Sequence, residues 1–251
     1  MLTLHKLTLY SHIAVGAVAL IVFWLPVFAR KGSKFHVLAG RLFAWGMTAI
    51  AISGIVMTTI VLIDPIGIRS PNAELPMVDA FQQSESARTF AAFLLMLSFL
   101  VLAGARQAVR VLQVKDDRSQ LRTVPHLALQ MAPGLTGIIV GPIGYMKGEL
   151  LLVIFAALSI ASTWGALRYI YKPQLQRNEW VLEHLGNIIG CGIGAYTAFF
   201  AFGGRRFFSE ILTGQLQIIP WVLPSVIGVT AIVMVSRRYR QRFRIGQEQP
   251  A

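Results

Sequence analysis

Hydrophobic and polar positions along this chain alternate in long blocks, not in the short periods of an amphipathic helix or a half-buried strand. An apolar stretch of about 20 residues is the length that carries an α-helix across the hydrocarbon of a bilayer. The first such block runs from Leu7 to Ala29. Lys6 before it and Val27-Phe28-Ala29 at its end resemble a cleavable leader, but the apolar run exceeds the roughly 7–15 residues of a leader's core. Arg30 and Lys31 follow at once, as they do after a retained span. The second block covers His36 to Ile63 and ends at Asp64-Pro65. Asp64 to Ser86, with Pro65, Pro71, Pro76 and several acidic residues, predicts one long loop with room for a short interfacial helix. Further spans are expected over Ala87–Leu112, Val124–Tyr145, Glu149–Tyr171, Trp180–Phe202 and Leu216–Ser236. Pro133-Gly134 and Pro142 predict that the fourth span is broken. The expected fold is therefore all-α: a polytopic transmembrane bundle of about seven helices in a single domain, 1–236, followed by a basic tail, 237–251.

Composition agrees with this reading. Hydrophobic residues make up 55% of the chain and charged residues 14%, and the mean hydropathy is +0.62, too apolar for a soluble domain of 251 residues to hide. The net charge of +12 does not indicate nucleic acid, because no nucleic-acid-binding motif is present. It fits loops that face anionic lipid instead. With seven spans, Lys6, Arg69, Arg88, Lys147, Arg205 and Arg206 fall on one face, and the other 17 of the 23 Lys and Arg residues fall on the opposite face. The positive-inside rule then predicts an outward N-terminus, a cytoplasmic C-terminus and a bacterial cytoplasmic (inner) membrane location. The tail Arg237-Arg238-Tyr239-Arg240-Gln241-Arg242-Phe243-Arg244 is expected to lie against anionic headgroups. Cys191, the single cysteine, excludes an internal disulfide framework and a thiolate metal cluster.

Drawn this way, His36, His126 and His184 all sit where an even-numbered span begins, each after a basic turn. Three imidazoles at one depth form a candidate ligand set for haem iron or another transition metal, with His36 and His184 as the best pair. The competing reading is an interfacial histidine bonded to a main-chain carbonyl or a hydroxyl. His12 is excluded from the set, because the eighteen residues to Arg30 correspond to roughly 27 Å of helix. Gly40, one turn beyond His36, and Gly186 leave room beside the rings. Arg41 is a candidate partner for a propionate or a lipid phosphate. Gln130 shares a face with His126, and Asn187 with His184. Gly186, Gly190 and Gly194 form a bare stripe at spacing four, expected to admit a neighbouring helix. No carboxylate lies in the middle of a span, which argues against an acid-relay pump.

The segment Arg30-Lys31-Gly32-Ser33-Lys34-Phe35-His36 through Gly40-Arg41, with Met47 and Ser53-Gly54 in the following span, resembles an uncharacterised bacterial integral-membrane family, domain of unknown function 2306. Trp180, His184 and Tyr196-Thr197-Ala198-Phe199 are similar to that family's second recurrent block. The two blocks cover about a quarter of the chain, and the resemblance implies a topology and the choice of His36 and His184, without implying a reaction. A looser resemblance to cytochrome b561-type bundles implies histidine-ligated haem, although those bundles use four histidines and the opposite face here offers only His5 and His12.

The expected function is an integral membrane protein with one b-type haem or metal at His36, His126 and His184, in electron transfer. The alternatives are a small-molecule or lipid carrier, with a cavity between the broken fourth span and the glycine stripe, and a non-catalytic assembly subunit. No dinucleotide fingerprint, phosphate loop, zinc-hydrolase motif or nucleophile elbow occurs, which argues against a soluble-type enzyme.

Overall fold

The computed structural model describes all residues except 72–73, 205–211, 213 and 244–251. Among the described residues eight α-helices form: α1 (Leu2–Phe28), α2 (Lys34–Ile63), α3 (Pro65–Arg69), α4 (Met77–Val114), α5 (Val124–Met146), α6 (Leu150–Tyr171), α7 (Glu179–Ala198) and α8 (Ile219–Phe243). Among the described residues there is no strand. Every helix but α3 is long and apolar enough to cross a membrane, so the chain is a multi-pass membrane protein. Arg205, Arg206 and Arg244, counted in the charge asymmetry, lie outside the described residues.

Three elements differ from the sequence expectation. α4 starts at Met77, ten residues before the apolar block, because nothing from Met77 to Ser86 interrupts a helix once Pro76 has been passed. Its 38 residues reach about 57 Å, well beyond the roughly 30 Å of hydrocarbon. The polar first turns hold Gln83, bonded to Ser70, and Glu85, paired with Lys147. At the other end of the chain α8 continues through Arg237, Arg238, Arg240 and Arg242, so this part of the basic tail is helical. The third difference is α5, which is continuous across Pro133 and Pro142.

Contacts divide the chain into two compact units, and most of the long helices supply residues to both. One comprises Met1–Ala19, Trp45–Ala103 and Leu127–Ala166. Within it Gly134, Gly137, Gly141 and Gly144 turn one face of α5 against α6. A Cβ on Gly137 would stand 2.9 Å from the Ala156 carbonyl oxygen, and one on Gly144 2.6 Å from Leu152 Cβ. The absent side chains are what permit this approach, the usual device for packing helices in lipid.

The same approach explains the continuity of α5. Proline normally opens the hydrogen-bond ladder above it. Here the Thr163 hydroxyl fills the opening: Gly134 N–H donates to Thr163 Oγ1 over 2.9 Å, and Thr163 Oγ1 donates to the Gln130 carbonyl over 2.9 Å. Backbone groups released by a proline inside a membrane helix must find such substitutes, since no water is at hand. Gln130 is itself buried and donates to the Ala103 carbonyl over 3.1 Å.

The second unit comprises Leu20–Ala44, Gly104–His126 and the described part of 167–251. Phe23 seats its ring on Gly192, where any Cβ would strike it, and meets the Phe43 ring at 5.3 Å in a tilted arrangement. Trp24 Nε1 donates to the Tyr196 hydroxyl (2.6 Å), which donates to the Leu20 carbonyl (3.0 Å). α8 lays Gly228 over Ile193 of α7. Arg118 donates to the carbonyls of Tyr169 and Lys172, giving the last turn of α6 the cationic cap that its orphan carbonyls favour. The expected stripe on α7 is not an interface of this kind: Gly186 and Gly190 meet nothing within 4 Å, and Gly190 is exposed. The close-packed glycine of that helix is Gly192, two residues off the stripe.

Candidate functional site

The turn between α1 and α2 positions the first histidine. Gly32 takes a left-handed conformation (φ +79°), and Ser33 then starts α2 by accepting the His36 N–H on its hydroxyl (3.1 Å). One turn into this helix, the His36 ring swings back to the end of α1, where Nδ1 lies 3.0 Å from the Pro26 carbonyl oxygen. That carbonyl has no partner within α1, which stops at Phe28, and it also accepts from Lys31 Nζ at 2.8 Å. A carbonyl can only accept, so Nδ1 of His36 carries the hydrogen. His184, on the first turns of α7, does the same: its Nδ1 donates to the Ala108 carbonyl of α4 over 2.8 Å. Both rings are therefore held in the tautomer whose Nε2 bears a lone pair, and among the described residues neither Nε2 has a hydrogen-bond partner. Beside them Gly40 and Gly186 face open space.

His126 is placed differently. It is 1% exposed and donates from Nε2, not Nδ1, to Gln107 Oε1 at 2.9 Å. Gln107, itself 0% exposed, turns its Nε2 to the Glu183 carboxylate at 3.0 Å, and Asn187 Nδ2 donates to the same oxygen at 3.1 Å. His126 Nδ1 is buried and has no hydrogen-bond partner among the described residues. Among the described residues no group of three or more His, Cys, Asp or Glu side chains is arranged to hold a metal ion. His126 is held in the Gln107–Glu183 chain, whereas His36 and His184 each bond a main-chain carbonyl. Two of the residues expected beside the histidines are engaged by other groups. Gln130 bonds to Ala103, and Asn187 serves Glu183 through both its carbonyl and its carboxylate. Arg41 is exposed on α2. His12, outside the candidate set in sequence, donates from Nδ1 to Ser53 Oγ at 2.8 Å, since the Ser53 hydrogen goes to the Ile50 carbonyl.

Gln107 and Glu183 carry more of the buried polar structure than sequence reasoning assigned them. Gln107 stands between Arg106 and Ala108, so its neutral amide is not singled out in the sequence from the charged end of the span. Its partner on a helix 76 positions away has no sequence signature. Comparison with known proteins gives no matching family model, no matching curated protein and no matching solved structure.

Proposed function

We propose that this chain is an electron-transfer protein of the bacterial cytoplasmic membrane that holds one b-type haem between His36 and His184. The observation that carries the reading is the shared ring state: each imidazole donates Nδ1–H to a main-chain carbonyl and turns a lone pair outward at Nε2. Ligating histidines in metalloproteins are fixed in this way by an acceptor on the far nitrogen, which sets the tautomer and raises ligand basicity. A haem needs only two such nitrogens, so the lack of a three-residue cluster among the described residues does not weigh against it.

When bound, the haem would supply one-electron chemistry at its iron. The chain's residues do the rest: the Pro26 and Ala108 carbonyls orient the rings, Gly40 and Gly186 leave space for a flat ligand, and Arg41 offers a cation to its carboxylates. Neutral imidazoles facing apolar surroundings favour the charge-delocalised macrocycle over a small hydrated ion. The orientation belongs to the same proposal, with α2, α5 and α7 starting on the cytoplasmic side, as does membership of the family to which the Arg30–Arg41 segment is similar. The carrier reading rests on a cavity between a broken fourth span and the glycine stripe, whereas α5 is continuous.

Titration of the purified chain with ferric haem tests the proposal. Wild type and His12→Ala should bind one equivalent, and His36→Ala and His184→Ala should lose binding by at least about tenfold. Equal binding by all four proteins would refute the assignment and favour a histidine that only caps α1.

A further inference from the structure

The His126 chain lies outside the proposed haem ligands and has one feature that they lack, a direction. Its hydrogen bonds run His126 Nε2–H to Gln107 Oε1, then Gln107 Nε2–H to Glu183 Oε1. Each donor has one acceptor, so the tautomer of His126 and the orientation of the Gln107 amide are fixed together. What is left over is a single lone pair, on His126 Nδ1, in a side chain 1% exposed. A buried polar atom without a partner inside a membrane helix is costly, and ionisable groups kept there are as a rule functional. The burial of His126 and Gln107 limits what can satisfy that atom to a proton or a single water.

We infer that His126 is a proton-binding site, with Gln107 as the neutral bridge that couples it to the Glu183 carboxylate. A proton from the water at the start of α5 adds to the Nδ1 lone pair, and the Nε2–H bond to Gln107 is retained. No other bond in the chain has to break. The positive charge on the ring then polarises the Gln107 amide toward Glu183, which acts as counter-charge across the bridge. Other charges bear on this balance. Arg106 and Arg110 of α4 are the cations that act on His126. Glu179 acts on Glu183, and Glu183, Arg118, Glu179 and Asp116 all act on Tyr169. This inference holds whether or not His36 and His184 bind haem.

Nitrogen-15 NMR of histidine-labelled full-length chain in lipid nanodiscs, with His126 identified by its loss in His126→Gln, tests it. Neutral His126 should show the Nε2–H tautomer and convert to imidazolium on acidification across roughly pH 4–8. Glu183→Gln keeps the hydrogen-bond acceptor and removes the charge, and should weaken proton binding about tenfold or more. Glu179→Gln, whose parent carboxylate is paired with Lys172, should shift it by less than about twofold. An Nδ1–H tautomer in the wild type, no conversion across that range, or an unchanged midpoint in Glu183→Gln would each overturn the inference. Should Glu183→Gln fail to fold, Gln107→Leu replaces it, with loss of the tautomer preference as the expected result and an unchanged tautomer as the contrary one.

Discussion

The seam between α5 and α6 and the seam around His36 and His184 use the same kinds of residue to opposite ends. Both combine glycines with side chains that bond to main-chain carbonyls. At the first, the glycines meet Ala156, Leu152 and Thr163 at contact distance, and the Thr163 hydroxyl both accepts from Gly134 and donates to Gln130, while the buried Ser159 hydroxyl beside Gly137 has no partner among the described residues. At the second, each imidazole uses one nitrogen and keeps the other, and Gly40 and Gly186 have nothing within 4 Å. A closed seam of this type is how helices associate in a medium that gives no hydrophobic drive between them. Unspent hydrogen-bonding capacity beside open glycines contributes nothing to that association, and this is the physical ground for assigning it to a ligand.

Substitutions that fill the glycines separate the two seams most strongly. Gly137→Leu should lower stability by about 3 kcal/mol, because the new side chain meets backbone that cannot turn aside. Thermal unfolding in detergent would register this, and a tolerated leucine there would remove the closed-seam description. Thr163→Val comes next. It deprives Gly134 N–H and the Gln130 carbonyl of their shared partner and should cost about 1–2 kcal/mol, whereas Thr163→Ser should stay within about 0.5 kcal/mol. Equal losses in the two variants would point to the methyl group instead of the hydroxyl. The smallest effect is expected at Gly190→Leu, a change of at most about 0.5 kcal/mol at an exposed site. A loss there as large as at Gly137 would restore the stripe on α7 as an interface.

Sequence made the spans legible because hydropathy over some twenty residues is set by the bilayer and not by neighbours. The start of α4 at Met77 was hidden for the same reason: its first turns lie beyond the apolar block, and only the absence of Gly and Pro after Pro76 announces them. The glycine stripe was sought on α7, where the spacing is regular, but regular spacing cannot tell a packed face from an open one. On α5 the prolines drew notice away from Gly134, Gly137, Gly141 and Gly144, and the remedy for Pro133 is a threonine on another helix. Of the candidate site, the places of His36 and His184 in the first turns of helices that follow basic turns could be read from sequence. Their tautomer could not, since it depends on carbonyls of Pro26 and Ala108 that only the folded chain brings to them.

The claim that the His36–His184 pair is a metal site is tested most directly by the electron paramagnetic resonance spectrum of the haem-loaded ferric protein. Two imidazole ligands should give a low-spin signal in the wild type, and His36→Ala or His184→Ala should each replace it with a high-spin signal while His12→Ala and His126→Gln leave it in place. A low-spin signal that survives both alanine substitutions, or that His126→Gln abolishes, would contradict the account.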